Sequence, residues 1–311
     1  MTSEEAEVKK FARKWVSVDG VVAPRTIPMP RLSRRLSSSS LDSVFTPEHS
    51  RDPFHSVVEL NGTVYVVGGT RSCGDACRFS RSLIRYDPRS DDCTKLSDMQ
   101  VRKGDFVACA DDDRIYVFGG RNRHGIMDIC ERYDPAKDKW DFISKLPEPT
   151  YMAAGVPVDG NIYISGGFDD FEAKSSMLRY NPASDEWSKL NSPMLAERGY
   201  HVMVMGKDGR LWVVGGVDNP FSGRSVWEVE AFDPKVENWE FVSQVLPNQL
   251  FDSTLRLNSL VDDEGDICVF AVTDPDKYPK MKYSPVQRKW SEVDRLAEIS
   301  ELDVDSPFDT N

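Results

Sequence analysis

The chain has 311 residues, with 39 Lys and Arg residues against 51 Asp and Glu residues, and a formal net charge of −12. Such an acidic chain lacks the net basic surface that neutralises phosphates, so the sequence argues against nucleic-acid binding and favours protein or peptide partners. No apolar run approaches the roughly 20 residues of a membrane helix, and the acidic start of the chain has no hydrophobic signal core. We therefore expect a cytoplasmic or nuclear protein without a membrane segment.

Residues 1–52 are predicted to form an N-terminal segment that contains a flexible arm. The arm, residues 19–52, is rich in Pro, Ser and Arg and is too polar to bury a core. Within it, Arg34-Arg35-Leu36-Ser37 is similar to a basophilic kinase site. Phosphorylation of Ser37 would add about −1.5 to −2 charges beside two arginines, and would dock or release the arm.

A repeated pattern occupies the centre of the chain. An aromatic residue is followed two positions later by Pro and seven positions later by Trp, or by Cys93 in the first copy. The apolar run before each copy ends in Gly-Gly in the first four copies and in Ala271-Val272 in the fifth. A period near fifty built of short strands predicts propeller blades. The aromatic positions recur at intervals of 47, 47, 52 and 51 residues, and they are Tyr86, Tyr133, Tyr180, Phe232 and Tyr283.

One repeat, residues 153–190, contains four predicted strands at 153–158, 162–165, 177–180 and 186–190. Asp159-Gly160 lies between the first two and is a hairpin signal, because primed turns need positive φ. The run before Gly-Gly is apolar at consecutive positions, as expected of an inner strand covered on both faces by neighbouring blades. Gly-Gly is expected where the backbone crowds the central channel or takes a conformation closed to other residues. Each Trp and its aromatic partner are expected to pack between blades.

The tandem of Gly-Gly, Tyr-Asp-Pro and Trp resembles the kelch repeat over residues 54 to about 293. The resemblance implies an all-β, kelch-type β-propeller at residues 53–294 with five recognisable four-stranded blades. A sixth blade is left open, and residues 295–311 are predicted to be an acidic tail. Arg13-Lys14-Trp15 echoes Arg288-Lys289-Trp290. The N-terminal piece is thus either the outer strand of another blade or a remnant of the helical region that precedes the propeller in BTB-kelch proteins.

The loop after Gly-Gly varies most, since the second glycine lies 17, 13, 13 and 16 residues before the aromatic residue in the first four copies. Equivalent loops of all blades open on one face of a propeller, so this loop set is the predicted recognition surface. The resemblance to kelch proteins implies that these residues, with those leading into each first strand, hold an acidic or turn-forming peptide. Arg121 and Arg123 match best because guanidinium forks suit carboxylates, whereas Asp169, Asp170 and Asp218 would suit a basic group. The predicted protein-binding face comprises Arg71, Ser72, Arg102, Lys103, Arg121, Arg123, His124, Tyr151, Asp169, Asp170, Arg198, Tyr200, Asp218, Asn219 and Phe221.

No catalytic residue, metal site or cofactor is predicted. The four histidines lie far apart, and the close pair Cys73 and Cys77 has no second ligand pair. Phosphate-loop and serine-nucleophile motifs are absent. The six cysteines are interpreted as free thiols in a reducing compartment.

The Arg-Tyr-Asp-Pro sequence of the first two repeats is similar to the BTB-kelch class of cullin-type ubiquitin-ligase adaptors. This favours a non-enzymatic protein-interaction module, the substrate-recognition propeller of such an adaptor. The sequence has no room for a BTB domain before the propeller, so a short or BTB-less form that reaches a BTB/cullin complex through another chain is expected. The alternatives are an autonomous kelch scaffold, such as an actin-associated or signalling protein, and a sugar-processing propeller enzyme.

Overall fold

The computed structural model describes residues 54–73, 76–87, 90, 92–220, 224–243, 257–262, 264–271 and 280–293. These residues form 22 β-strands, and none of them lies in a helix, so no described helix could cross a membrane. The predicted segment 1–52 with Ser37, any further blade that uses Trp15, and the predicted tail 295–311 lie outside the described residues.

Twenty strands form five antiparallel four-stranded sheets in sequence order, which confirms the predicted all-β, kelch-type blades. Blade 1 contains β1 (Phe54–Leu60), β2 (Thr63–Cys73), β3 (Ala76–Asp87) and β4 (Asp92–Leu96). Blade 2 contains β5 (Val107–Ala110), β6 (Ile115–Phe118), β9 (Cys130–Asp134) and β10 (Lys139–Ile143), with a short hairpin of β7 (Arg121–Asn122) and β8 (Gly125–Ile126) between β6 and β9.

The remaining blades repeat this order. Blade 3 contains β11 (Ala154–Val158), β12 (Asn161–Ser165), β13 (Met177–Asn181) and β14 (Glu186–Lys189). Blade 4 contains β15 (Val202–Met205), β16 (Leu211–Val214), β17 (Val229–Asp233) and β18 (Asn238–Ser243). Blade 5 contains β19 (Leu257–Val261), β20 (Ile267–Ala271), β21 (Lys280–Ser284) and β22 (Lys289–Val293).

The first strand of each blade contacts the first strand of the next, in the succession β1, β5, β11, β15 and β19. The first strands therefore line the axis and the fourth strands lie outside, as in a propeller. Among the described strands, no equally extensive contact joins β19 back to β1.

The apolar core lies between blades. Between blades 1 and 2, for example, Val67 and Leu83 pack against Val117, Tyr133 and Trp140, and all five side chains are buried. Each such aliphatic side chain contributes about 1.5–3 kcal/mol when it leaves water. Similar clusters fill the next three boundaries.

A repeated hydrogen-bond clasp joins each blade to the one before it. The indoles of Trp140, Trp187 and Trp239 each donate to a backbone carbonyl of the preceding blade at 2.9 Å. In blade 3 the clasp has a second part, because Asp185 accepts from the Tyr180 hydroxyl at 2.7 Å and from a backbone amide of blade 2 at 2.9 Å. The prediction that the Trp and aromatic pair packs between blades is confirmed for these blades.

Gly166 and Gly167 show why the apolar strand ends in diglycine. Both have positive φ, at 59° and 89°. A Cβ at Gly166 would lie 2.4 Å from the carbonyl oxygen of Arg198, and one at Gly167 would lie 2.7 Å from that of Tyr151. The predicted backbone conformation that disfavours other residues is therefore present, and the crowding comes from the backbone of neighbouring loops, where the sequence predicted the central channel.

Candidate functional site: the loop face at the channel mouth

Two sets of loops meet at one end of the blades. One set follows the diglycines, and the other leads from each blade into the first strand of the next. Single backbone bridges join the sets in blades 2, 3 and 4, at Gly104 with Arg121, Tyr151 with Phe168, and Gly199 with Val217. The two loop sets that the sequence predicts to act together are thus held together by the backbone.

Three equivalent residues link these loops around the channel. Asp105, Met152 and Tyr200 have φ values of 57°, 55° and 57°. The Met152 amide donates to the Asp105 carbonyl at 2.8 Å, and the Tyr200 amide donates to the Met152 carbonyl at 3.0 Å. Left-handed backbone at non-glycine residues costs about 1–2 kcal/mol each and is retained where surrounding contacts hold it. The loops at the channel mouth are therefore connected to one another by backbone hydrogen bonds and form one surface.

Arg121 lies at the centre of this surface. Its Nε donates to Oδ2 of Asp105 at 2.7 Å, and its guanidinium lies 4.6 Å from the centroid of the Tyr151 ring. The Phe168 ring packs against both Tyr151 and Tyr200, at centroid distances of 5.6 and 5.5 Å. Because 43% of the Arg121 side chain stays exposed, the ion pair and the ring hold the guanidinium in place while part of it faces solvent.

Four positively charged or titratable side chains of the blade 2 loops form what we call the basic rim: Arg102, Arg121, Arg123 and His124. Arg102, Arg123 and His124 are exposed. Asn122 fixes the loop, since its side-chain amide donates to the Arg102 carbonyl at 3.2 Å and its carbonyl oxygen accepts from the His124 amide at 2.8 Å. The basic rim can bind an acidic group of a ligand, as the sequence predicts for Arg121 and Arg123.

The acidic residues predicted on the other blades fall into two kinds. Asp169 accepts from the amides of Phe171 and Glu172, both at 3.0 Å, and these bonds hold the pKa of its carboxyl below the usual value. Asp218 likewise accepts from the Arg224 amide at 2.7 Å, and Asn219 beside it is half-buried. Asp169 and Asp218 therefore stabilise their own loops, whereas Asp170 is exposed.

The prediction that Lys103 and Arg198 belong to the binding face is wrong, because both side chains are fully buried. The ammonium of Lys103 lies 3.5 Å from the Glu131 carboxylate and donates to the Ile129 carbonyl at 2.8 Å. Arg198 pairs with the buried carboxylate of Glu230. Burial lowers the pKa of Lys103, and the carboxylate beside it opposes that shift. Both charges stabilise the loops from beneath the surface.

Blade 3 has no ion pair at the equivalent position within the described residues. Thr150 takes the place of Lys103 and donates to the carbonyls of Gly166 and Phe168, at 3.2 and 3.3 Å. Leu178, which is buried, takes the place of Glu131. The signal that could have located the buried pairs is present in the sequence, since Glu occurs two residues before the aromatic residue only in the two blades that also carry Lys103 or Arg198.

The first blade differs from the predicted pattern. The segment Thr70-Arg71-Ser72, expected to be a loop, continues strand β2 and pairs with β3 out to Cys73 opposite Ala76. Pairing continues past the diglycine because a register shift between Val67 and Gly69 absorbs it. The side chains of Arg71 and Ser72, and the whole of Phe221, lie outside the described residues.

One buried polar pair lies below the channel mouth. The Ser165 hydroxyl and Nε2 of His201 are 2.8 Å apart, and both residues are buried. Burial, with a smaller contribution from the Arg198 charge, lowers the pKa of His201 to about 3, so the imidazole is neutral. The pair is closed to a substrate. Among the residues that the structure describes, no three His, Cys, Asp or Glu side chains are grouped as metal ligands would be.

Five consecutive four-stranded blades, of which blades 2, 3 and 4 have a diglycine after the second strand and a Trp in the fourth, define a kelch-repeat propeller. Residues 54–271 match the family model described as the KLHDC2/KLHL20/DRC7 Kelch-repeats domain, and the chain belongs to this family.

Two curated relatives show the same relationship. The chain is similar to Kelch-like protein 36 of Bos taurus, with 33% identity over 208 residues that cover 65% of this chain and 33% of the relative. It is also similar to Kelch-like protein 15 of Danio rerio, with 24% identity over 252 residues that cover 75% of this chain and 41% of the relative. The chain thus spans a third to two fifths of the length of these relatives.

Proposed function

We propose that the chain is a non-enzymatic protein-interaction domain that holds a peptide segment of another protein at the channel mouth. The observation that carries the proposal is the position of Arg121, which is stacked on Tyr151, paired with Asp105 and still 43% exposed at the channel mouth. A guanidinium held in this way loses little conformational entropy when it binds a carboxylate. Arg102, Arg123 and His124 extend the same charge along the rim.

The finer proposal is that this domain recognises the substrate of a cullin-type ubiquitin ligase. Membership of a kelch family, similarity to Kelch-like proteins 36 and 15, and the Arg-Tyr-Asp-Pro repeats at Arg85 and Arg132 support it. In this proposal a BTB-containing chain connects the propeller to the cullin. The domain would act in the cytoplasm or the nucleus.

The test is affinity purification of the chain from cells followed by mass spectrometry, with two charge-matched variants. Arg102→Glu with Arg123→Glu alters the exposed part of the basic rim, and Lys235→Glu with Lys289→Glu makes the same change at exposed lysines elsewhere. We expect a client set, together with a cullin and a BTB protein, that the first variant loses by about tenfold or more and the second retains.

Two results would contradict the proposal at different levels. Clients retained by the rim variant would refute the assignment of the binding face. Cytoskeletal proteins recovered in place of a cullin would favour the autonomous scaffold over the ligase adaptor. The rim variant leaves Arg121 and its ion pair intact, so a fall in stability is not expected to confuse the result.

A further inference from the structure

A groove of about 740 Å³ lies between the loops of blades 2 and 3, next to the basic rim. It is lined by residues 124–126 of blade 2, by residues 147–149 of the connection to blade 3, and by residues 169, 170 and 172–176 of blade 3. Glu197, from the connection to blade 4, also lines it. Pro147 and Pro149 have no amide hydrogen, so the connection that contains them offers a ligand carbonyls and side chains and few donors.

The free charge in this groove is negative. Glu148 is neutralised by Lys174 and Lys189, and Asp169 is committed to its own loop. The carboxylates of Asp170, Glu172 and Glu197 make no hydrogen bond or ion pair with any described residue. We call the site bounded by these three carboxylates the acidic groove.

The acidic groove also has an apolar contact surface at its edge. Phe171 is 78% exposed at the tip of the loop between Asp170 and Glu172. The amide of Phe171 is bonded to Asp169, so its backbone is fixed while the ring faces solvent. A ligand with alternating cationic and aliphatic side chains would match both the carboxylates and this ring.

The sequence of this chain contains a segment of that chemistry. Residues 20–41, here called the basic arm, hold four arginines and no acidic residue, in a chain whose net charge is −12. Arg31, Arg34 and Arg35 alternate with Leu32 and Leu36. The basic arm therefore complements the acidic groove in both charge and apolar spacing.

The chain enters the propeller on the correct face for this contact. Strand β1 begins at Phe54, which pairs with Thr70 just beyond the diglycine, and so it begins at the end of blade 1 where the recognition loops lie. The 16 residues between Ser37 and Phe54 can span at most about 58 Å when extended. A tether of this length keeps the basic arm at an effective concentration on the order of millimolar near the groove.

We propose that residues 31–37 of the basic arm bind in the acidic groove of the same chain and are released when Ser37 is phosphorylated. The arginines pair with Asp170, Glu172 and Glu197, and Leu32 or Leu36 contacts Phe171. A phosphate on Ser37 brings about −1.5 to −2 charges to a carboxylate-lined site, so repulsion replaces attraction. This inference rests on the proposed function in one respect, since the bound arm would occupy space beside the basic rim that a client needs.

The contact can be measured without any client by limited trypsin digestion of the full chain, following cleavage after Arg34 and Arg35 by mass spectrometry. The groove variant is Asp170→Asn, Glu172→Gln and Glu197→Gln. The control variant is Asp159→Asn, Glu186→Gln and Glu292→Gln, which removes the same charge from exposed sites elsewhere. Three exposed ion pairs together change an equilibrium by about tenfold, and cleavage follows the population of the released arm.

We expect cleavage about tenfold faster in the groove variant, in Ser37→Asp and in 0.5 M salt, and a rate within twofold of wild type in the control variant and in Ser37→Ala. Equal rates in the wild type and the groove variant would overturn the inference, and so would equal acceleration by both triple variants, which indicates attraction to the whole acidic surface. If the groove variant loses clients but keeps the wild-type cleavage rate, the groove belongs to the client and the inference fails while the proposed function stands. If the arm is protected but the rim variant captures clients normally, the proposed function fails while the inference stands.

Discussion

Replacing Glu131 with Leu is predicted to destabilise the chain by about 3–5 kcal/mol, because it leaves a buried charge without its partner. The Lys103 ammonium, fully buried, would keep only the Ile129 carbonyl at 2.8 Å. The backbone amide of Gln100, which donates to the Glu131 carboxylate at 2.6 Å, would also lose its acceptor. Lys103→Thr alone is expected to cost a similar amount, because it leaves the carboxylate buried and without its cation.

Blade 3 shows which changes compensate for this loss. The triple variant Gln100→Pro, Lys103→Thr and Glu131→Leu introduces the residues that blade 3 has at the equivalent positions, which are Pro147, Thr150 and Leu178. The triple variant has no buried charge, and no amide is left without an acceptor at position 100. The shorter Thr side chain leaves the space of about two methylene groups, which costs about 1.5 kcal/mol. The triple variant should therefore be about 2 kcal/mol more stable than Glu131→Leu alone.

The measurement is equilibrium unfolding in urea followed by tryptophan fluorescence and far-UV circular dichroism, on wild type, the two single variants and the triple variant. The reasoning is refuted if the costs of the single changes add in the triple variant. It is refuted equally if Glu131→Leu unfolds within about 1 kcal/mol of wild type, since the ion pair would then carry no part of the stability.

Three further predictions concern the loop face and the clasp. The pKa of His201 is about 3 in the folded state against 6.5 in the unfolded state. The contribution of the neutral imidazole to stability is therefore complete above pH 6.5 and is lost as the pH falls towards 3. The urea midpoints at pH 7.5 and pH 5 should differ less in His201→Gln than in wild type, and equal differences would contradict this. Asp185→Ala should lower the free energy of unfolding by about 2 kcal/mol, because it removes the acceptor for the Tyr180 hydroxyl and places Ala at a position with positive φ. Asp185→Asn should lower it less than half as much. Equal losses for the two variants in urea unfolding would show that the clasp does not contribute to stability. Gly199→Ala places a Cβ 2.2 Å from the buried ring of Phe168 and should cost about 1–3 kcal/mol, which an unchanged melting temperature would exclude.

The strands and turns were predictable because their signals are local. In blade 3 the predicted strand at 162–165 and the observed Asn161–Ser165 differ by one residue. Asp159 and Gly160 both have positive φ, as the hairpin signal requires. The clasp was only half predictable. The Trp and Tyr positions show it, but the acceptor Asp185 lies at a position that is Asp in blades 1 to 3, Glu in blade 4 and Arg in blade 5.

The site was less predictable than the fold. A charged residue next to a variable loop is usually exposed, and that general rule failed for Lys103 and Arg198 because each has a buried carboxylate partner some thirty residues away in sequence. Arg121 and Tyr151 could be selected as candidates separately, but their stacking depends on the approach of two loops and has no local signature. The acidic groove combines residues from four separate loops, and none of them stands out alone.

The differences between repeats occur in matched sets, and one set crosses a blade boundary. In blades 2 and 3 an arginine directly precedes the aromatic residue and faces an acidic residue of the next blade, as Arg179 does with Glu237 at 3.1 Å. Blade 4 has Ala231 at this position, and blade 5 has Arg288 where the acidic residue should be. An arginine at position 231 would therefore place two cations across the boundary. Arg288 lies instead 3.5 Å from Glu240 of blade 4. The boundary thus keeps a pair of opposite charges, but here the earlier blade carries the negative charge and the later blade the positive charge. The charge that fits such a position therefore depends on the residue it faces, and in blade 3 the buried lysine, its glutamate and the amide donor are likewise all replaced together.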